Sequence, residues 1–574
     1  MNVAGQGVPP VLHLRTPKAG QAGRLSYRAG SWGELSRRIE SSPAVLSFKR
    51  AVVIAHDEYD AILLGAGHNS LILQAYLARA GLTTLCLEPR DLAGGGLATI
   101  EQPPGSGFFH NTHSFYHRGI THMPWYADLE LKRYGAEYIE PDLNVALIAS
   151  DGRVLEWWTD FEKTVASVAQ FSRKDAGTVQ HWCHRFRPIV TNILIPEAQA
   201  PPVPFDQRRS LLSQSAEGRL LLEVSALSPL EFVLREFEHP IVQAGLLFFN
   251  GLREVDLRCR GFGHHIPALL ASGRMAQMCI GGSRKLAEAL VAAIQNAGGN
   301  VHVNVKPRRI LIQSDRVIGV ETADGEVIRA RQFVASGLNP HQTFLELIDE
   351  SLPPSDWLTK VRNFQYNLLA PLFALNVNLR EPPRYSAAQK HPELERAFMV
   401  ILGLDRPEQF EEIVKHHEAG AFPPTVMWGS CPTIFDSSQA PRDRHAAFMW
   451  EKLPYRLQGD PKRWDAVKHE HGKAMLSHWQ KFAPNIGDAL IEEFTASPLD
   501  VERTLPNMRF GDLLVGAFNH GQVGYHRPFP GAGHYRGHFK GLYLCGGSCH
   551  PGGNITGLPG YNCAQVILAD LGLK

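Results

Sequence analysis

The chain has no Cys-x-x-Cys pair: its eight cysteines stand at 86, 183, 259, 279, 431, 545, 549 and 563. That spread makes neither a disulfide framework nor a zinc site, so buried thiols are expected and metal catalysis is not. No apolar run reaches the roughly 18–20 residues that a membrane-spanning helix requires. Excess charge is missing too, with 58 Lys and Arg against 57 Asp and Glu. Phosphate neutralisation needs a positive surplus, so nucleic acid is not an expected partner. Residues 1–33 contain no acid but carry Arg15, Lys18, Arg24 and Arg28. Gly and Pro make this stretch a poor amphipathic helix; residues 1–56 are read as an N-terminal arm. A cytoplasmic protein is expected, or a mitochondrial one if the arm is a targeting segment.

What is present concentrates in glycine-bearing turns. Asp60–Leu64 is a short apolar run suited to a buried parallel strand. Gly65-Ala-Gly67-His68-Asn69-Ser70 opens a helix over 71–80, Gly81 ends it, and a strand over 83–87 finishes at Glu88. Gly65 permits the turn, and Gly67 lets backbone N–H groups approach a pyrophosphate at the positive helix end. Ser70, at the third glycine position, is still small enough for close helix–strand contact. Glu88 falls where a carboxylate, roughly 20 residues on, accepts ribose hydroxyls and disfavours a 2′-phosphate. This spells dinucleotide binding.

A second cluster follows at once: Pro89, Arg90, then Gly94-Gly95-Gly96-Leu97. A third lies at the tail, Gly546-Gly547-Ser-Cys-His550-Pro-Gly-Gly-Asn-Ile-Thr-Gly557-Leu558. A strand over 542–545 precedes it and a helix over 560–571 follows. Together these segments resemble the FAD-dependent amine-oxidase and phytoene-desaturase superfamily. The likeness is strongest to the branch of phytoene-desaturase-like and pyridine nucleotide-disulfide oxidoreductase domain 2 proteins.

The resemblance implies an α/β fold: a discontinuous Rossmann-type FAD-binding domain (57–120, 276–345 and 531–574). An inserted α+β substrate-binding domain would comprise 121–275 and 346–530. It implies that FAD touches Gly65, Gly67, His68, Asn69, Ser70, Glu88, Pro89, Arg90, Gly95, Gly96, Leu97, Val305, Gly546, His550, Gly557 and Leu558. Strands over 300–305, 309–313, 317–321 and 327–330 would form a small β-insert, and 333–337 the return strand to the nucleotide sheet. A tail helix aimed at the flavin would stabilise its reduced anion. His110, His113 and His117 follow the second cluster and are candidates for proton transfer, since imidazole titrates near neutral pH. The His264-His265 and His416-His417 pairs read as surface or packing residues. No second Gly-rich βαβ unit for NAD(P)H is found.

The expected function is oxidation of a C–H bond in an apolar, isoprenoid-like or aromatic small molecule, by hydride transfer to flavin N5. The electron acceptor, be it oxygen, a quinone or a carrier, is not legible, and a homo-oligomer stays open. A redox-neutral isomerase or hydratase is the alternative; a flavin-bearing scaffold for protein association is another. The Pro-rich stretch 198–205 reads as a loop between helices, part of an access lid.

Overall fold

The computed structural model describes residues 58–251 and 255–573; the expected N-terminal arm lies outside them. The first strand, Glu58–Leu64, is buried along its apolar run and lies parallel to Thr84–Glu88, with Ala61 opposite Thr84 and Leu64 opposite Leu87. Between them the helix His68–Arg79 starts directly after Gly67, one turn earlier than its apolar pattern suggests. Gly67 is extended (φ −69°, ψ 157°) and so serves as the helix cap. Gly81, at φ +88°, turns the chain out of the helix.

The nucleotide sheet runs Asn300–Val303, Thr84–Glu88, Glu58–Leu64, Val327–Ser336, Arg316–Thr322 and Pro307–Gln313, with Leu542–Leu544 also paired to Val327–Ser336. Two details correct the sequence reading. Asn300–Val303 is not part of the β-insert; it pairs in parallel with Thr84–Glu88. The reason is its connection: it returns from the helix Arg284–Asn296, and a strand reached by a helical crossover joins in parallel. Moreover, 327–330 and 333–337 are not separate strands. Val327–Ser336 is one ribbon whose first half pairs antiparallel with Arg316–Thr322 and whose second half pairs in parallel with Ala61–Leu64. It therefore ties the meander rigidly to the nucleotide sheet.

Leu542–Leu544 adds in parallel beside Val334–Ser336, which sets the tail turn next to the first one. The tail helix, Leu558–Asp570, packs on His68–Arg79, with the Tyr76 and Tyr561 rings 5.6 Å apart. A second seven-stranded sheet draws its strands from both stretches expected to bind substrate: Leu143–Ile148 and Val154–Trp158 from the first, and five between Leu372 and Ala496 from the second. The helix Trp464–Phe482 covers one face of this sheet, burying Trp464 and Trp479. The other face meets helices from 173–271 and carries Trp428, Phe448 and Trp450. The helical pattern over 220–237 resolves into Ala216–Ser225 and Pro229–Glu236. Ser228 and Glu231 form a reciprocal cap at the break, and Pro229 takes the first helical position.

Candidate active site

Three glycine clusters, far apart in sequence, meet. Gly65 turns the chain at φ +82°. The Ala66 amide then donates to Glu88 Oε2 at 2.9 Å, so the acid at the end of the second strand fixes the turn at the end of the first. Glu88 Oε1 accepts from Arg90 Nε at 3.0 Å. The second cluster lies on this turn: the Gly94 amide donates to Ala66 O at 2.7 Å, and a Cβ at Gly95 would stand 3.0 Å from Gly67 Cα. Ser70 Oγ occupies the space a Cβ at Gly337 would need, 2.0 Å away, so the missing third glycine is answered by a glycine just past the strand Val327–Ser336.

The tail closes over the same place. A Cβ at Gly546 would stand 2.4 Å from Gly337 O, and one at Gly560 would stand 2.0 Å from Asn69 O. Ser70 Oγ and Cys545 Sγ are 3.7 Å apart. Trp125 Nε1 donates to Thr556 O at 2.8 Å. Close backbone approach, not side-chain chemistry, explains these glycines.

A cavity of about 1390 Å³ opens from this convergence. Of the residues expected to touch cofactor, Gly65, Gly67, His68, Asn69, Ser70 and Glu88 line it. So do Pro89, Arg90, Gly95, Gly96, His550 and Leu558. Leu97, Val305, Gly546 and Gly557 do not. Leu97 is fully buried in the nucleotide core. Val305 donates its amide to Glu88 O at 3.0 Å and supports the lining from behind, while its neighbour Lys306 reaches the cavity. Gly546 is packed on Gly337, and Gly557 (φ +67°) is packed on Ile72 and Trp125.

The histidines separate as sharply. His113 lines the cavity, with Nδ1 2.7 Å from Thr112 Oγ1. Burial, helped by the Arg90 charge, holds it near 4, so it is neutral at ordinary pH. His110 does not line the cavity. Its strand, Phe109–Asn111, turns it toward the second sheet, where Nε2 meets Asn378 Oδ1 at 2.8 Å and the ring stands edge-on to Phe494. His117 is also withdrawn: Nε2 meets Ser114 Oγ at 2.7 Å and Nδ1 meets Tyr138 OH at 2.9 Å. With both nitrogens engaged and the ring outside the cavity lining, it braces the wall. His550 touches the cavity but spends Nε2 on Glu197 O, 3.0 Å away. Of the histidine pairs, His264 and His265 line the cavity, and His417 is buried between Leu368 O and Lys452 O.

Burial lowers the pKa of His110 to about 4, His117 to about 3 and His417 to about 4, from an ordinary 6.5. Each therefore binds its proton less readily folded than unfolded. Their stabilisation is complete above pH 6.5 and is lost as pH falls toward 4. The thermal midpoint is accordingly expected to drop steadily across that window. A flat midpoint there would contradict the burial of these rings.

Several contributors were not foreseen. Arg527 is fully buried behind the tail turn, and its guanidinium donates to Ala517 O, Gln522 O and Gly547 O, each at 3.1 Å. Asn507, in the lining segment 503–508, accepts the Asn339 amide at 2.6 Å. Residues 195–203, which overlap the loop expected over 198–205, form an unbroken stretch of cavity wall. The lining also includes the aromatic residues Phe115, Tyr116, Trp428 and Trp450, with Lys452 over the Trp428 ring at 5.9 Å.

The residues present fit an FAD. Gly67 carries no Cβ and nothing lies within 4 Å of where one would be, so the helix start faces open cavity. Glu88 stands at the same end. The volume exceeds the roughly 300–1,000 Å³ of an ordinary single-ligand pocket, leaving room for a dinucleotide and a second molecule.

A family model for flavin containing amine oxidoreductases matches residues 75–463. One of the subunits of limonene dehydrogenase from Castellaniella defragrans is 31% identical over 90% of this chain and 95% of its own length. Pyridine nucleotide-disulfide oxidoreductase domain-containing protein 2 of Rattus norvegicus is 27% identical, covering 95% of this chain and 99% of its own. Among solved structures, cyclohexylamine oxidase from Brevibacterium oxydans superposes with a TM-score of 0.54 at 14% identity, covering 90% of this chain and 99% of that one. That last likeness speaks to fold alone.

Proposed function

The chain belongs to the flavin containing amine oxidoreductase family and is an FAD-dependent oxidoreductase; from that premise we propose that it oxidises a C–H bond of an apolar, isoprenoid-like or aromatic small molecule. FAD, when bound, supplies the acceptor for the hydride that leaves the substrate carbon. The observation that carries the reading is the single cavity that runs from the glycine turns to the wall of Phe115, Tyr116, Trp428 and Trp450. A relative named for limonene, a hydrocarbon, supports an apolar occupant.

In this reading the chain's own groups do three things. The aromatic wall orients the substrate and keeps water out, which strengthens every electrostatic contact inside. The start of the helix Leu558–Asp570 lends positive field at the cavity edge. Neutral His113, with Nδ1 held by Thr112, offers its other ring nitrogen to a proton leaving the substrate. His113→Asn is then expected to slow substrate oxidation by about 10²-fold or more. The wild-type rate should fall only as pH drops through about 4, where His113 protonates.

Anaerobic mixing with a panel of apolar compounds, limonene included, tests the reading. Lasting loss of the oxidised flavin's visible absorbance is the expected result. Turnover without any acceptor would replace it with isomerisation or hydration. Subsequent addition of oxygen or a quinone shows which restores the colour.

A further inference from the structure

Residues 195–203 line the cavity without a gap, yet they form no sheet and only one short helical turn, Ile195–Ala198. Pro196, Pro201 and Pro202 remove backbone donors; within the strap the Gln199 amide reaches Ile195 O and Pro196 O, and the carbonyls of 197–200 take donors from elsewhere. They come from the tail. His550 Nε2 reaches Glu197 O at 3.0 Å, and Asn562 Nδ2 reaches Ala198 O at 3.0 Å and Ala200 O at 3.2 Å. Gln565 Nε2 reaches Gln199 O at 3.0 Å. Asn562 and Gln565 lie three apart on the helix Leu558–Asp570, so one helical face holds the strap.

The bonds from the tail all go to main-chain carbonyls of the strap. Among the described strap residues, Glu197 alone has a side chain in a hydrogen-bonded pair, bidentate with Arg208 at 2.8 Å for each bond. Ile195 and Ala198 pack against the hydrophobic cores, whereas Ala200 is in neither cluster. A π-helical turn, Val190–Leu194, leads into the strap, and Val190 and Leu194 line the same cavity. Such turns insert an extra residue and gather at functional sites.

We infer that the strap 195–203 is the specificity-determining wall of the substrate cavity, with Ala200 setting its depth and Asn562 and Gln565 as its positioning residues. This rests on the reading that an apolar molecule occupies the cavity. Because the seat belongs to the helix that follows the tail glycine turn, the wall and the cofactor end are held in one register. Ala200 lines the cavity, so a larger residue there would take cavity space.

The test uses the FAD-loaded full chain and N-phenyl-1-naphthylamine, an uncharged fluorophore that brightens out of water. Wild type is expected to bind it saturably. Ala200→Phe should weaken that binding by at least about tenfold while leaving FAD content unchanged. Should the Phe variant not fold, Ala200→Val is expected to weaken it by about threefold. Gln565→Met and Asn562→Leu should speed probe release and raise acrylamide quenching of the bound flavin, changes that a general loss of stability in a still-folded protein would not produce. Wild-type probe affinity in a folded Ala200 variant, or unaltered release and quenching in both tail variants, would overturn the inference. Failure of the functional reading looks different: no compound bleaches the flavin, while the probe responds to position 200 as described.

Discussion

Gly67→Ala is expected to fold with a modest loss of about 1 kcal/mol, from the poorer helix cap, and to purify without flavin. Gly67 has an extended backbone open to any residue, and an added Cβ meets nothing within 4 Å. The methyl group therefore adds no clash to that loss. It enters the space at the helix start where pyrophosphate oxygens must come close to backbone N–H groups. An affinity loss of about 100-fold or more is expected, equivalent to about 2.7 kcal/mol. Gly560→Ala makes the opposite case. Its Cβ would lie 2.0 Å from Asn69 O, a clash with backbone, so it should cost about 1–3 kcal/mol in stability itself. Thermal midpoints and flavin-to-protein absorbance ratios separate the two. Equal flavin content in Gly67→Ala and wild type would remove Gly67 from the site.

Arg527→Leu is expected to be the most damaging single change, at about 3–5 kcal/mol. The side chain is fully buried, lies over the Phe518 ring at 4.3 Å, and binds carbonyls of the 516–522 loop and of Gly547 in the tail turn. Its loss strands those carbonyls. It also removes the positive charge that offsets the burial of Asp512, whose carboxylate accepts the amides of Asn367, Leu514 and Gly516. Arg527→Lys keeps charge but cannot fork to several carbonyls, so an intermediate loss is expected. Denaturant midpoints measure both; a midpoint within about 0.5 kcal/mol of wild type for the leucine variant would contradict this role.

The legible parts of the sequence were those whose meaning is local. The run Asp60–Glu88 carries strand, turn, helix, strand and acid in order, and the tail carries a strand, a glycine turn and a helix. Each element's period and punctuation survive without knowledge of what they pack against. Side-chain direction is not local in this sense. His110 and His113 are three residues apart, yet pairing of Phe109–Asn111 with Thr99–Glu101 sends the first toward Asn378 and leaves the second at the cavity. His417 likewise sits on a helix that looks exposed in sequence but is buried against Lys452 O. Arg527 gave no signal because its partners are carbonyls, which carry no residue identity. The strap's prolines were visible and suggested a loop, but the donors that seat it, Asn562 and Gln565, come from the far end of the chain. Asn300–Val303 read as part of the insert because a short strand does not declare its neighbour.

Hydrogen–deuterium exchange of the flavin-free chain with and without FAD tests most directly that the early and tail turns form one cradle. Added FAD should slow exchange in peptides spanning 65–70 and 546–558 together, with the same concentration dependence. Protection of the early peptide alone, with the tail unchanged at saturating FAD, would contradict it.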